Sequence, residues 1–215
     1  MTFFQATLLG IVQGLTEFLP ISSTAHLILI PWLFGWSFDP QAAFVFDVLV
    51  QLGTLAAVIV YFAKDIWQIA LAVIDGLRRR KPFESGGARL GWLVVVATAP
   101  AAVIGLLFKR YFEVLHRQPV IVAAIVFSAA GLIFVVEYAG RRNRSLASLS
   151  WIGALIIGCS QALALLPGVS RSAATISGGL ALGLERPAAA RFSFLMSIPI
   201  MLAAGAIALS PPSLN

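Results

Sequence analysis

The chain has 215 residues, 60% of them hydrophobic and 11% charged, with a mean hydropathy of +0.94. This excludes an ordinary soluble domain and leaves several apolar stretches long enough to cross a bilayer, so the fold class is an all-α polytopic membrane protein. The formal charge of +6 sits in short loops between apolar stretches, which reads as membrane topology and not as a nucleic-acid surface, and Cys159 alone supports neither a disulfide framework nor a thiolate metal cluster.

The N-terminal stretch lacks a basic region and soon meets Glu17, so it is not read as a cleavable signal peptide. Residues 4–36 fall into two apolar pieces hinged at Pro20 to Thr24. Each would be about 24 Å long as a helix, too short for a bilayer core of about 30 Å, which predicts a re-entrant helix, turn and helix with its tip near midplane. Within GIVQGLTEFLPISSTAHL, from Gly10 to Leu27, lie Gln13, Glu17, Ser22, Ser23, Thr24 and His26. A glutamate and a histidine in hydrocarbon cost several kcal/mol unless they face protein, water or a ligand, so this run is read as the centre of the protein.

Residues 43–63 are a full span, with Asp47 and Gln51 four apart on a face expected to point inward. Residues 64–77 are amphipathic and run into Arg78, Arg79, Arg80 and Lys81, as an interfacial segment would. Spans follow at 90–108 and 119–138. Loops 64–89 and 139–150 hold nine Lys or Arg against three in the turn 109–118, which places the basic loops in the cytoplasm and the N-terminus outside.

A shift of 148 positions lays Gly10 on Gly158, Gln13 on Gln161, Leu15 on Leu163, Ser22 on Ser170, Gly35 on Gly183, Phe44 on Phe192 and Phe46 on Phe194. A second re-entrant segment is therefore expected at 151–184, followed by a span at 188–209, entering from the opposite face to the first. Together they form an inverted-topology repeat with two re-entrant helix-loop-helix segments, repeat one at about 1–138 and repeat two at about 151–215 of a single membrane domain. Repeat two lacks counterparts of the spans 90–108 and 119–138, so the chain looks incomplete at its C-terminal end. In the second copy Arg171 stands where Ser23 stands in the first, and no acid matches Glu17.

The hydroxyls of Ser22, Ser23 and Thr24 open a half-helix, and those of Ser170, Ser172 and Thr175 repeat the arrangement opposite. Hydroxyls and free N–H groups at a helix start make an anion site, and Arg171 adds a guanidinium suited to a phosphate. Ser23 and His26, three apart, suit a nucleophile and its proton-transfer partner; Gln13 and Glu17, four apart, suit a hard cation or a base. These are the parts of phosphoryl transfer. Hydroxyls in membrane helices also serve simply to satisfy carbonyls, which is as good a reading for Ser22 or Ser172 alone. By the same weighing Asp47 and Gln51 divide between bundle structure and support of the site, and His116 is read as solvated among Lys109, Arg110 and Glu113. Glu137, Glu185, Arg186 and Arg191 are read as span-end charges that snorkel or pair at the interface, Gly178, Gly179 and Gly183 as close-packing positions, and Cys159 as a small buried residue.

QGLTE followed by FLPISSTAH, and later LLPGVSRSAATISGG, resemble the two signature regions of the undecaprenyl-diphosphate phosphatase family of bacitracin-resistance membrane enzymes. The resemblance runs from about Gly10 to the last span. It implies hydrolysis of a polyprenyl diphosphate lipid to the monophosphate carrier of peptidoglycan synthesis, in the bacterial cytoplasmic (inner) membrane, with the site facing the exterior. It also implies a divalent cation, Mg2+ or Ca2+, near Glu17 and Gln13, and it is compatible with a homodimer. By position it makes Ser23 the nucleophile, His26 the acid or base, Arg171 the phosphate clamp, and Ser170, Ser172 and Thr175 donors; the rival assignment makes His26 the nucleophile, with Glu17 orienting it. Gln13 stands where many members carry glutamate. The competing reading is a transporter that moves a lipid phosphate without cleaving it.

Overall fold

A chain this apolar has few groups with which to start a helix, and it spends its hydroxyls and carboxylates on that task. In the computed structural model, which describes residues 1–108, 111, 119–139, 142–166 and 168–209, the described residues form α-helices and one short 3-10 turn. The helices are α1 (Phe3–Thr16), α2 (Ser23–Leu33), α3 (Pro40–Tyr61), α4 (Ala63–Arg78), α5 (Gly86–Leu107), α6 (Pro119–Ala139), α7 (Trp151–Leu163), α8 (Arg171–Ala181) and α9 (Arg186–Leu209). Thr2, Ser22, Asp39, Ser85, Ser150 and Ser170 each accept from a backbone N–H in the first turn of the helix that follows. Such caps satisfy donors that hydrocarbon cannot. Three helices, α3, α5 and α9, are long and apolar enough to cross a membrane, and the protein is an all-α polytopic membrane protein.

The short helices pair into hairpins. Phe4 at the start of α1 meets Trp36 beyond the end of α2, their ring centroids 6.5 Å apart. Leu149 and Leu182 crowd Gly153 in the same way, so the start of α7 lies beside the end of α8. The first turn occupies 17–22, not 20–24. Pro20 brings no N–H and restricts the residue before it, so α1 stops at Thr16 and Ser23 becomes the first residue of α2. Ser22 carries the cost, with φ 63° and ψ 93°, a conformation that L-residues rarely adopt.

The core lies between the second hairpin and its neighbours. Leu93 and Ala97 of α5, Ala154 and Ile157 of α7, Leu180 of α8, and Phe192 and Met196 of α9 form one buried cluster; Leu55, Val58 and Phe62 pack with Leu195 and Met201 in another. Arg89 ties the two basic loops together by donating to the carbonyls of Ala147 and Leu149, and Arg144 donates to the Leu182 carbonyl at 2.9 Å. Glu137 pairs with Arg142 and Arg186, and Arg191 with Asp65 at 2.6 Å. These span-end charges are mutually paired.

Three expectations change. Cys159 is exposed, because α7 turns Gly158 and Ile157 inward and its neighbour outward. Asp47 is exposed as well: α3 buries only Thr54, Leu55 and Val58 of the stripe that Asp47 and Gln51 begin. Gly183 is a turn residue with φ 83°, whereas Gly178 and Gly179 are close-packing positions facing Ser160 and Ala189. His116, with Lys109, Arg110 and Glu113, lies outside the described residues.

Among the described glycines the tightest packing is at Gly158, where a Cβ would lie 2.3 Å from the Ala97 carbonyl oxygen of α5, while Gly10, 148 positions earlier, has open space. Gly158→Ala should therefore destabilise by about 1–3 kcal/mol, as overpacking does. Gly10→Ala should be neutral or stabilise by up to about 1 kcal/mol. Unfolding in detergent followed by near-UV circular dichroism checks both.

Candidate active site

The two hairpin turns meet, and the meeting is electrostatic. Glu17, just past the end of α1, and Arg171, the first residue of α8, form an ion pair of 3.0 Å across 154 positions of sequence, with side chains 8% and 15% exposed. Ser172 Oγ donates to the Leu19 carbonyl at 2.8 Å, which stitches the turns together a second time. Ser172 therefore accepts from Ser170, whose Oγ lies 2.9 Å away. Phe18 forms a shelf beneath the guanidinium, 5.9 Å from ring centroid to Cζ, and packs edge-on against Phe194 of α9.

Glu17 is held from both sides. Its Oε1 accepts from Arg171, while Oε2 accepts from Ser23 Oγ at 2.7 Å and from Gln13 Nε2 at 3.0 Å. The strained backbone of Ser22 places Ser23 for that bond, and the Ser22 carbonyl accepts from His26 Nδ1 at 2.8 Å. A carbonyl only accepts, so Nδ1 carries the proton and Nε2 of a neutral ring keeps its lone pair. Arg171 gives one hand to Glu17. Its other nitrogen, Nη1, is buried and has no hydrogen-bond partner among the described residues.

A polar cavity of about 190 Å³ opens beside this pair, and among the described residues Glu17, Ser22, Ser23, Thr24, Ser170 and Arg171 line it. Gln51, Met201 and Ile200 close it on the α3 and α9 side. Gln13, His26, Ser172 and Thr175 do not line it. Gln13 is 1% exposed and holds Glu17. Thr175 donates to the Arg171 carbonyl and accepts from Ser193 of α9, so it braces α8. Ser193 and Phe18 were not read from the sequence. Ser193 and Ser197 stand four apart in an apolar span, a polar stripe that could have marked a buried contact, whereas nothing local marks Phe18.

The residues present fit a divalent cation only in part. Among the described residues no three His, Cys, Asp or Glu side chains cluster, and Gln13 turns its NH2 toward Glu17, a donor where a ligand needs an oxygen. One carboxylate and two hydroxyls suit a cation that shares the oxygens of a bound phosphate, the usual manner of magnesium.

A buried pair broken on one side leaves an uncompensated charge, at a cost of about 3–5 kcal/mol. Arg171→Ala should lower stability by about that much, and adding Glu17→Gln should restore most of it. A double-mutant cycle on detergent unfolding measures the coupling, and simple additivity would mean that the pair does not hold the turns together.

The chain was compared with known proteins. The family model described as Bacitracin resistance protein BacA matches residues 6–214. A protein of Chlorobaculum tepidum named Undecaprenyl-diphosphatase is 51% identical over 97% of this chain and 76% of its own length. Relatives of the same name from Chloroherpeton thalassium and Myxococcus xanthus are each 49% identical over 95% of this chain, covering 74% and 68% of their lengths. With its paired turns and polar cavity, the chain belongs to the BacA family.

Proposed function

We propose that this protein hydrolyses undecaprenyl diphosphate to undecaprenyl phosphate and inorganic phosphate, and so returns the lipid carrier to peptidoglycan synthesis. One observation carries the chemistry: Ser23 Oγ–H donates to a carboxylate that is itself paired with a guanidinium whose Nη1 has no partner among the described residues. Relatives about half identical to this chain bear the name of that reaction. A transporter would need the anion site but not the serine–carboxylate contact.

In this reading Ser23 Oγ attacks the terminal phosphorus and its proton passes to Glu17 Oε2. The bond from that phosphorus to the bridging oxygen breaks, and the lipid monophosphate departs. Water then attacks the phosphoserine, giving inorganic phosphate and restoring the serine. Arg171 Nη1, the Thr24 hydroxyl and the N–H groups at the start of α8 bind the phosphoryl oxygens, where charge stabilisation does most of the work, while the Ser170 hydroxyl proton stays with Ser172. Gln13 keeps Glu17 in place. His26 lies outside the cavity lining, and its Nδ1–H, held by the Ser22 carbonyl, steadies the backbone that presents Ser23. A magnesium or calcium ion held by Glu17 with the diphosphate oxygens would neutralise further charge.

The placement in the membrane follows from the same parts. The hairpins are re-entrant and enter from opposite faces of the bacterial inner membrane, with the basic loops in the cytoplasm and the cavity opening outward. Support comes from the nine bases of loops 64–89 and 139–150 and from Arg89, which binds one of these loops to the other.

Purified protein in detergent should release phosphate from undecaprenyl diphosphate, and EDTA should suppress it. Ser23→Ala, Glu17→Gln and Arg171→Ala should each lower kcat by about 100-fold or more. Rapid quenching with labelled substrate should trap an acid-stable phosphoserine at Ser23. An acid-labile label on His26 would move the nucleophile there, and release that survives all three substitutions would remove the site.

A further inference from the structure

Two apolar grooves flank the polar cavity, and they are not equivalent. The larger, about 1140 Å³, lies between α1, α3 and α9 and ends at the Asp65–Arg191 ion pair. Phe18, packed on Phe194 and beneath Arg171, stands between it and the phosphate-binding groups. The smaller, about 610 Å³, lies between α6 and the α7–α8 hairpin, and Val169 lines both this groove and the polar cavity. Val169 stands two residues before Arg171.

The smaller groove is lined mainly by apolar and small side chains. Along α8, Ala174, Ser177, Gly178 and Ala181 present a stripe of small side chains to it. Small stripes in membrane helices usually bring a neighbouring helix close, yet α6 stands off far enough to leave the volume open. Ser128 and Ser160, also in its wall, donate to the carbonyls of Ala124 and Ile156 of their own helices, so the groove offers no free hydroxyl proton from either. From Arg171 to Ala181 the stripe runs about 15 Å.

We propose that this groove, reached past Val169, binds the polyprenyl chain next to the diphosphate, and that its far end at Ala181 and Leu132 sets the dependence on chain length. The proposal rests on the phosphatase reading above. A chain whose phosphates sit at Arg171 passes Val169 and Ala174 and then follows α8 toward Ala181. Geranyl diphosphate is too short to reach that far.

The test is Ala181→Trp and, separately, Leu132→Trp; both positions are exposed, so neither change crowds the core. Each should lower kcat/KM for undecaprenyl diphosphate by about tenfold through KM, while leaving geranyl diphosphate within about twofold. Ala57→Trp, in the larger groove, should leave the ratio between the two substrates unchanged. Equal values for both substrates in the two α6 and α8 variants, or a chain-length-selective loss confined to Ala57→Trp, would overturn the proposal. Photolabelling of the wild type with an undecaprenyl diphosphate bearing a diazirine near the diphosphate should mark 124–136 and 174–181; label confined to 46–62 would overturn it. Labelling does not need turnover. If the wild type releases no phosphate from either lipid, the phosphatase reading falls while the label still decides the groove.

Discussion

The ion pair between Glu17 and Arg171 is the contact on which the rest of the structure depends. Neither charge has another way to remain inside a protein this apolar: a lone carboxylate or guanidinium in low dielectric costs several kcal/mol, and mutual attraction offsets that only where the remaining lone pairs and protons are also satisfied. Gln13 and Ser23 satisfy the carboxylate, and Phe18 covers the guanidinium. Nη1 of Arg171 has no partner among the described residues. An incomplete network of this kind costs stability and is a common property of sites that wait for a ligand.

The pair also accounts for a difference between the two stretches of sequence related by the offset of 148. Two identical turns meeting in this way would bring together two acids or two bases, which repel. Here the first copy keeps glutamate and serine, and the second keeps arginine at the serine's place and leucine at the glutamate's. The glutamine survives in both copies with different outcomes. Gln13 holds Glu17, whereas Gln161, buried and facing no acid, has neither amide atom hydrogen-bonded among the described residues.

Much of this was legible because membrane sequences expose their exceptions. Polar residues in apolar runs, a proline before three hydroxyls and an offset of 148 identified both hairpins and most of the cavity lining. Helix ends shifted by a few residues where a cap decided them, as at Ser85, which starts α5 four residues before the expected span. What stayed hidden depends on side-chain direction. Helical spacing placed Ser23 and His26 on one face, but the Ser22 carbonyl draws the imidazole to itself, and Ser23 turns to Glu17 instead. The resemblance makes Thr175 a donor to phosphate, whereas its hydroxyl donates to the Arg171 carbonyl and meets Ser193 across the core. Asp47 lies on the stripe of α3 expected to face inward, yet among the described residues it is exposed.

The sequence separation of the pair carries a consequence for biogenesis. Glu17 leaves the ribosome 154 residues before Arg171, an interval of roughly 8–30 s at synthesis rates of about 5–20 residues per second. Over that time the first hairpin has its acid and no base to meet it. Until Arg171 follows, Glu17 must stay protonated, hydrated or sheltered, and the contact between the turns forms only as the second hairpin arrives. The first turn is in this sense finished by the second.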